Sequence, residues 1–194
     1  RTFNFEHDDD VLLEVHADVN PRPFLWGLDL SRVWQPGTGV PFGNQLLPTL
    51  PAEENLVMLC IHGTKHGWDR LMLLSDVAEL VRTSPGLDWP RARVLAARGN
   101  SRVPFLLGLT LARDCLGADL PDDAFGPGDP HERANSLAEL VQSRFSRRRG
   151  PSLLETAAFH WHAHTRVSDR LAFATRSILM SHESDWQAVP LPDA

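Results

Sequence analysis

From Ala52 onward the apolar residues of this chain recur at the spacing of a helix, and that pattern alone rules out a sheet architecture for most of its length. Leu56, Leu59, Cys60 and Gly63 stand at i, i+3, i+4 and i+7, which predicts a helix from Ala52 to about Trp68 with one buried face. Leu71, Leu74, Val77, Ala78 and Val81 continue the period over 69–82, and Ser84, Pro85 and Gly86 then break it. Asp88, Trp89 and Pro90 supply the N-cap and early proline of a third helix that ends at Gly99 and Asn100. A strongly apolar fourth helix is expected over 101–116, stopped by Gly117, and a fifth from Asp129 and Pro130 to about Phe145. Arg147 to Pro151 has the composition of a solvated linker. A last, long helix is expected from Ser152 to Ser181, with Leu153, Ala157, His160, His164, Val167, Leu171, Ala174 and Ile178 forming a stripe that packs along the bundle.

The residues before Pro51 obey a different rule. Thr2 to Glu6 and Val11 to Val19 alternate apolar and polar side chains, and His7, Asp8, Asp9 and Asp10 between them suit a turn, so a β-hairpin is expected. A lone hairpin is marginal in water, which calls for a larger sheet that the rest of the sequence does not supply. Residues 20–52, with Pro21, Pro23, Pro36, Pro41 and Pro48 among them, form an irregular connection with a short strand or a turn of helix. Pro36, Gly37, Thr38 and Gly39 superficially resemble a phosphate loop, but no strand feeds them and no Lys-Ser/Thr follows, so a surface turn is the better reading. The expected fold class is therefore α+β, a small antiparallel hairpin or sheet remnant (1–50, with the irregular connection) followed by a mostly α-helical bundle (51–194).

The composition is that of a globular protein: 42% hydrophobic and 23% charged over 194 residues, with a formal net charge of -6. That charge argues against a surface built for non-specific nucleic-acid binding, which draws its free energy from many phosphate-neutralising cations, and leaves room for a local basic pocket. Cys60 and Cys115 lie in apolar runs without metal-type spacing and are expected to be reduced, in the cytoplasm. No apolar run approaches the ~18 residues of a membrane span.

Two segments carry residues suited to chemistry. In Val11 to His16, Glu14 and His16 stand two apart on a strand and so share a face, either the lip of an active-site cleft or a plain solvent face. In Leu59 to Leu71, His62 and His66 lie one helical turn apart, with Lys65 beside them and Asp69 a turn further on. No Glu follows His62 and no third ligand is evident, so zinc is disfavoured. A cationic face receiving phosphate oxygens fits the residue types better, and histidines bonded within the helix packing fit them equally well. His160 and His164 share the apolar face of the last helix and are expected to be a satisfied, partly buried pair. No nucleophile elbow is present, and Asp8 and Asp10 are expected to form a turn.

Val11 to His16, Leu59 to Leu71 followed by Ser75 to Leu80, and Leu87 to Trp89 together resemble the uncharacterised nucleotidyltransferase family of NTP-transferase type five. The likeness extends through Leu106 to Ala112, Leu116 to Pro121, and Ser184 to Trp186 with Leu191 and Pro192, and it rests on the order of these segments. It implies a mixed sheet followed by a helical domain, with a Gly-rich turn, an Asp-x-Asp pair and a third carboxylate holding Mg²⁺. Glu14 takes the third-carboxylate position, both metal ligand and catalytic residue. Lys65, His62, His66 and His16 would line the cleft and bind a nucleoside triphosphate, whose nucleoside monophosphate passes to an acceptor hydroxyl. The Gly-rich turn and the Asp-x-Asp have no match here and are expected upstream of Arg1, so the residues from Arg1 to Ala194 are expected to be inactive by themselves, because one carboxylate cannot fix two divalent ions. The competing expectation is a non-catalytic helical binding or scaffold protein.

Overall fold

The structure, a computed structural model, describes residues 2–7, 11–16, 24–29, 39–127, 130–147 and 151–179, with backbone alone for 2–7, 11–16, 130 and 147. Asp8 and Asp10, the Pro36–Thr38 turn, most of the basic linker and the Ser184 to Pro192 segment lie outside the described residues. Strands β1 (Thr2–His7) and β2 (Val11–His16) form the expected antiparallel hairpin, in a register that sets Asn4 opposite Glu14 and Thr2 opposite His16. The irregular connection holds a second hairpin, β3 (Val40–Phe42) with β4 (Gln45–Leu47), whose turn places Gly43 at φ +57, a left-handed conformation that glycine adopts without a steric cost.

Among the described residues seven α-helices follow: α1 (Ala52–Lys65), α2 (Leu71–Thr83), α3 (Trp89–Arg98), α4 (Arg102–Leu116), α5 (Pro130–Arg147), α6 (Leu153–Ala163) and α7 (Val167–Leu179). The fold is thus α+β with a mostly helical bundle. Helix α4 is its axis. Every residue from Val103 to Ala112 is buried, and α1, α2, α3 and α5 pack around it, as a helix apolar on all sides requires. Its stop is Gly117 in the left-handed conformation, whose N–H returns to the Arg113 carbonyl at 2.9 Å. Asp88 caps α3 by accepting the Arg91 amide at 2.9 Å. Among the described residues no helix is long and apolar enough to cross a membrane.

The amphipathic faces of α1 and α2 fall where their periods put them except at the start of α2: Leu56, Cys60, Leu74 and Val77 have no exposed surface, whereas Leu71, in the first turn with no preceding turn to pack beside it, is 56% exposed. The last helix does not run through. It breaks at His164, whose backbone is extended (φ -85, ψ 133), and α6 and α7 are separate elements. The cause lies outside the segment's own propensity. The His164 carbonyl accepts Arg133 Nη1 at 2.9 Å and Arg170 Nε at 3.0 Å, so two guanidiniums replace the helical amide that would otherwise have bonded it. With the axis interrupted, the expected stripe packs only in its middle: His160 and His164 are buried alongside Phe159 and Phe173, while Leu153 is 90% exposed, Val167 64%, Leu171 56% and Ile178 82%.

Candidate functional site

The C-terminal end of α1 is held in place by the core beneath it. After His66, which closes the helix with its amide on the His62 carbonyl at 3.1 Å, Gly67 (φ +62) and Trp68 (φ +55) both adopt left-handed backbone and turn the chain back under the helix. For Trp68 that conformation costs roughly 1–2 kcal/mol, which the burial of its indole more than offsets. The ring Nε1–H donates to Thr64 Oγ1 at 3.2 Å, and the Thr64 hydroxyl donates to the Cys60 carbonyl at 2.8 Å. The indole fills a notch left by two glycines: a Cβ at Gly63 would stand 2.5 Å from it, and one at Gly108 would stand 3.2 Å away. Thr64 and Trp68 carry no chemistry of their own, yet they fix the turn that presents His62, Lys65 and His66.

On that turn the His62 and His66 rings stand with centroids 4.6 Å apart, tilted by 58°. His66 is exposed, and His62 and Lys65 are half-buried. Cationic groups in the last turn of a helix also complement its dipole. The structure therefore brings together three of the residues singled out in the sequence. Glu14 and His16 lie on β2 as expected, and their side chains fall outside the described residues.

Helices α5 and α6 close on the same place. Arg144 of α5 points its Nη1 toward Gly67, 3.8 Å from where a Cβ would stand. Its Nη2 donates to the Glu155 carbonyl at 3.1 Å, and its guanidinium lies over the Phe159 ring at 5.2 Å. Nothing in the sequence distinguished this arginine from its neighbours. Behind it, His160 and His164 sit among aromatic rings: Phe24 and Phe173 flank His160, and Trp26 stacks on His164 at 4.7 Å. The pair is fully buried and only in part satisfied. His164 Nδ1 bonds the His160 carbonyl at 2.7 Å, whereas His160 Nδ1 and His164 Nε2 have no hydrogen-bond partner among the described residues.

Burial pushes the His160 ring down to about 4, and the charges of His164, Arg144 and His66 act in the same direction. In the unfolded chain the ring returns to about 6.5, so below that pH the unfolded state binds the extra proton. The contribution of neutral His160 to stability is complete above pH 6.5 and is lost as the pH falls toward 4, by on the order of 3 kcal/mol. We expect His160→Phe to flatten the pH dependence of urea unfolding between pH 4 and 6.5; an unchanged slope would remove His160 as its source.

Cavities also lie elsewhere among the described residues. One of about 470 Å³ is lined by Asp29, Glu54, Arg91, Leu95 and Arg98 among others, and in it buried Glu54 is paired with Arg91. Another, of about 650 Å³, lies between α2 and the end of α4. Burial raises the Cys60 thiol far above neutrality, which removes it as a nucleophile. Among the described residues no group of three or more His, Cys, Asp or Glu side chains could hold a metal ion, so these residues alone do not fit a divalent cation.

Comparison with known proteins gives one result that bears on function: residues 1–117 match the model of the family described as uncharacterised nucleotidyltransferase. No match was found among curated proteins or among solved structures. The matched residues include β2, both hairpins and helices α1 to α4, and within them the His62, Lys65 and His66 turn together with the notch that supports it. On that match, which spans more than half its length, the chain belongs to the uncharacterised nucleotidyltransferase family.

Proposed function

We propose that the full-length protein transfers a nucleoside monophosphate from a nucleoside triphosphate to an acceptor hydroxyl, with Mg²⁺ as cofactor. The observation that carries the reading is the placement, inside the family-matched residues, of two neighbouring imidazoles and a lysine on one accessible turn of a protein whose net charge is -6. A triphosphate brings several negative charges that need local cations. Lys65 supplies a compact point charge, and His62 and His66 supply ring N–H donors. Mg²⁺ would neutralise charge on the phosphates when bound. Glu14 is the residue of this chain assigned to it, and further carboxylates must complete the site because one cannot hold it.

The exposed apolar residues of α7, Val167, Leu171, Ile178 and Leu179, favour a second reading in which the helical part recognises a partner without catalysis. Calorimetry separates the two. Titration of the full-length protein with ATP, CTP, GTP and UTP in the presence of Mg²⁺ should give saturable binding of at least one, and Lys65→Ala should weaken it by roughly tenfold. Absence of heat with all four nucleotides would end the transferase reading.

A further inference from the structure

The family-matched residues stop at 117, but the cationic turn at the end of α1 continues in space onto helices beyond that point. Arg144 is the group that continues it. Its guanidinium lies over the Phe159 ring and one of its nitrogens is tied to the Glu155 carbonyl, so the group is held in one orientation before any ligand arrives. Nη1 faces the Gly67 turn, and Nε is buried without a hydrogen-bond partner among the described residues. Deeper in the same place, His160, 6% exposed, also has a ring nitrogen without a partner. A buried donor left unmade costs about 1–3 kcal/mol, and a group in that condition next to an accessible cationic turn has the character of a site awaiting an acceptor.

We propose that Arg144, acting with His62, Lys65 and His66, forms a polyphosphate-binding site at the junction of α1, α5 and α6. The inference rests on the nucleotidyltransferase reading for its biological substrate, a nucleoside triphosphate, but its chemistry stands apart from transfer. The planar guanidinium presents parallel N–H donors to phosphate oxygens, which lysine cannot do. Burial pushes the Arg144 guanidinium down from its ordinary range, with the nearby Glu155 acting in the opposite direction; it stays cationic and is only partly hydrated, which strengthens its attraction for an anion. Among the acids of the described residues, Glu155 turns its carboxylate onto the Ser152 amide at 2.7 Å as part of a capping box, and Asp69 is exposed to solvent.

The experiment uses the full-length protein without divalent metal, inorganic tripolyphosphate as the probe, and calorimetry as the readout. Wild type should bind it and bind orthophosphate far more weakly. Arg144→Gln should lose at least about tenfold in affinity, and Arg144→Lys should recover only part of it. Since Arg144 also packs on Phe159, a variant on the exposed side, His66→Asn, tests the site without disturbing the core, and a loss of severalfold is expected there. Wild type that fails to bind tripolyphosphate, or a folded Arg144→Gln protein that binds it as wild type does, would overturn the proposal. The two readings fail separately. Tripolyphosphate binding that depends on Arg144 in a protein that transfers no nucleotide leaves this site standing and removes the transferase, whereas turnover that persists with Arg144-independent tripolyphosphate binding does the reverse.

Discussion

Trp68→Ala should lower the unfolding free energy by about 3–5 kcal/mol, a large part of the stability of a domain of this size. The indole is 1% exposed and wedged between Gly63 and Gly108, so its removal leaves a cavity that rigid helix backbones on both sides are poorly able to fill. It also strips Thr64 Oγ1 of its buried donor. The same contact predicts the converse change. Gly63→Ala puts a methyl group 2.5 Å from a ring that cannot swing aside and should cost about 1–3 kcal/mol. Combining Gly63→Ala with Trp68→Phe, which vacates the space, should cost less than the two added together. Urea denaturation of the four proteins measures the coupling; strict additivity would mean that the indole does not occupy the glycine notch.

Glu14→Gln is expected to abolish turnover of the full-length protein, by on the order of a thousandfold or more, because a neutral amide cannot replace a carboxylate as ligand to a divalent ion or as a proton acceptor. Stability should change by no more than ~0.5 kcal/mol if the side chain serves the site alone. Both are measured on one preparation, by initial rates and by a thermal melt. A normal rate would detach β2 from the chemistry and leave the cationic turn as a binding surface only.

The helices up to residue 116 were legible in the sequence because each signal is local. The Ser84–Gly86 break, the Asp88 cap with Pro90, and Gly117 at the end of α4 act on residues within one turn of themselves, and no tertiary contact opposes them. The break at His164 was not legible for the opposite reason: the arginines that capture its carbonyl are 31 and 6 residues away, on two different helices. That miss carried the others with it, since the predicted stripe of 153–178 presumed one continuous axis. At the candidate site, the His62, Lys65 and His66 constellation could be read from helical spacing. Trp68 could not, because left-handed backbone at a bulky residue is disfavoured locally and is stabilised here only by the notch beneath it. Arg144 had no signal, being one arginine among many until the fold set it beside Gly67.

The clamp on His164 also has an evolutionary reading. Helices α5 and α7 are joined through a main-chain oxygen, an atom that every amino acid possesses. The joint itself asks nothing of the imidazole at that position, which is held instead by its burial and by the Trp26 ring stacked on it, whereas the burden of keeping the two helices together rests on Arg133 and Arg170. Related chains should resist exchange at the two distant grips on account of the joint, and at the point of attachment only on account of the packing around its ring.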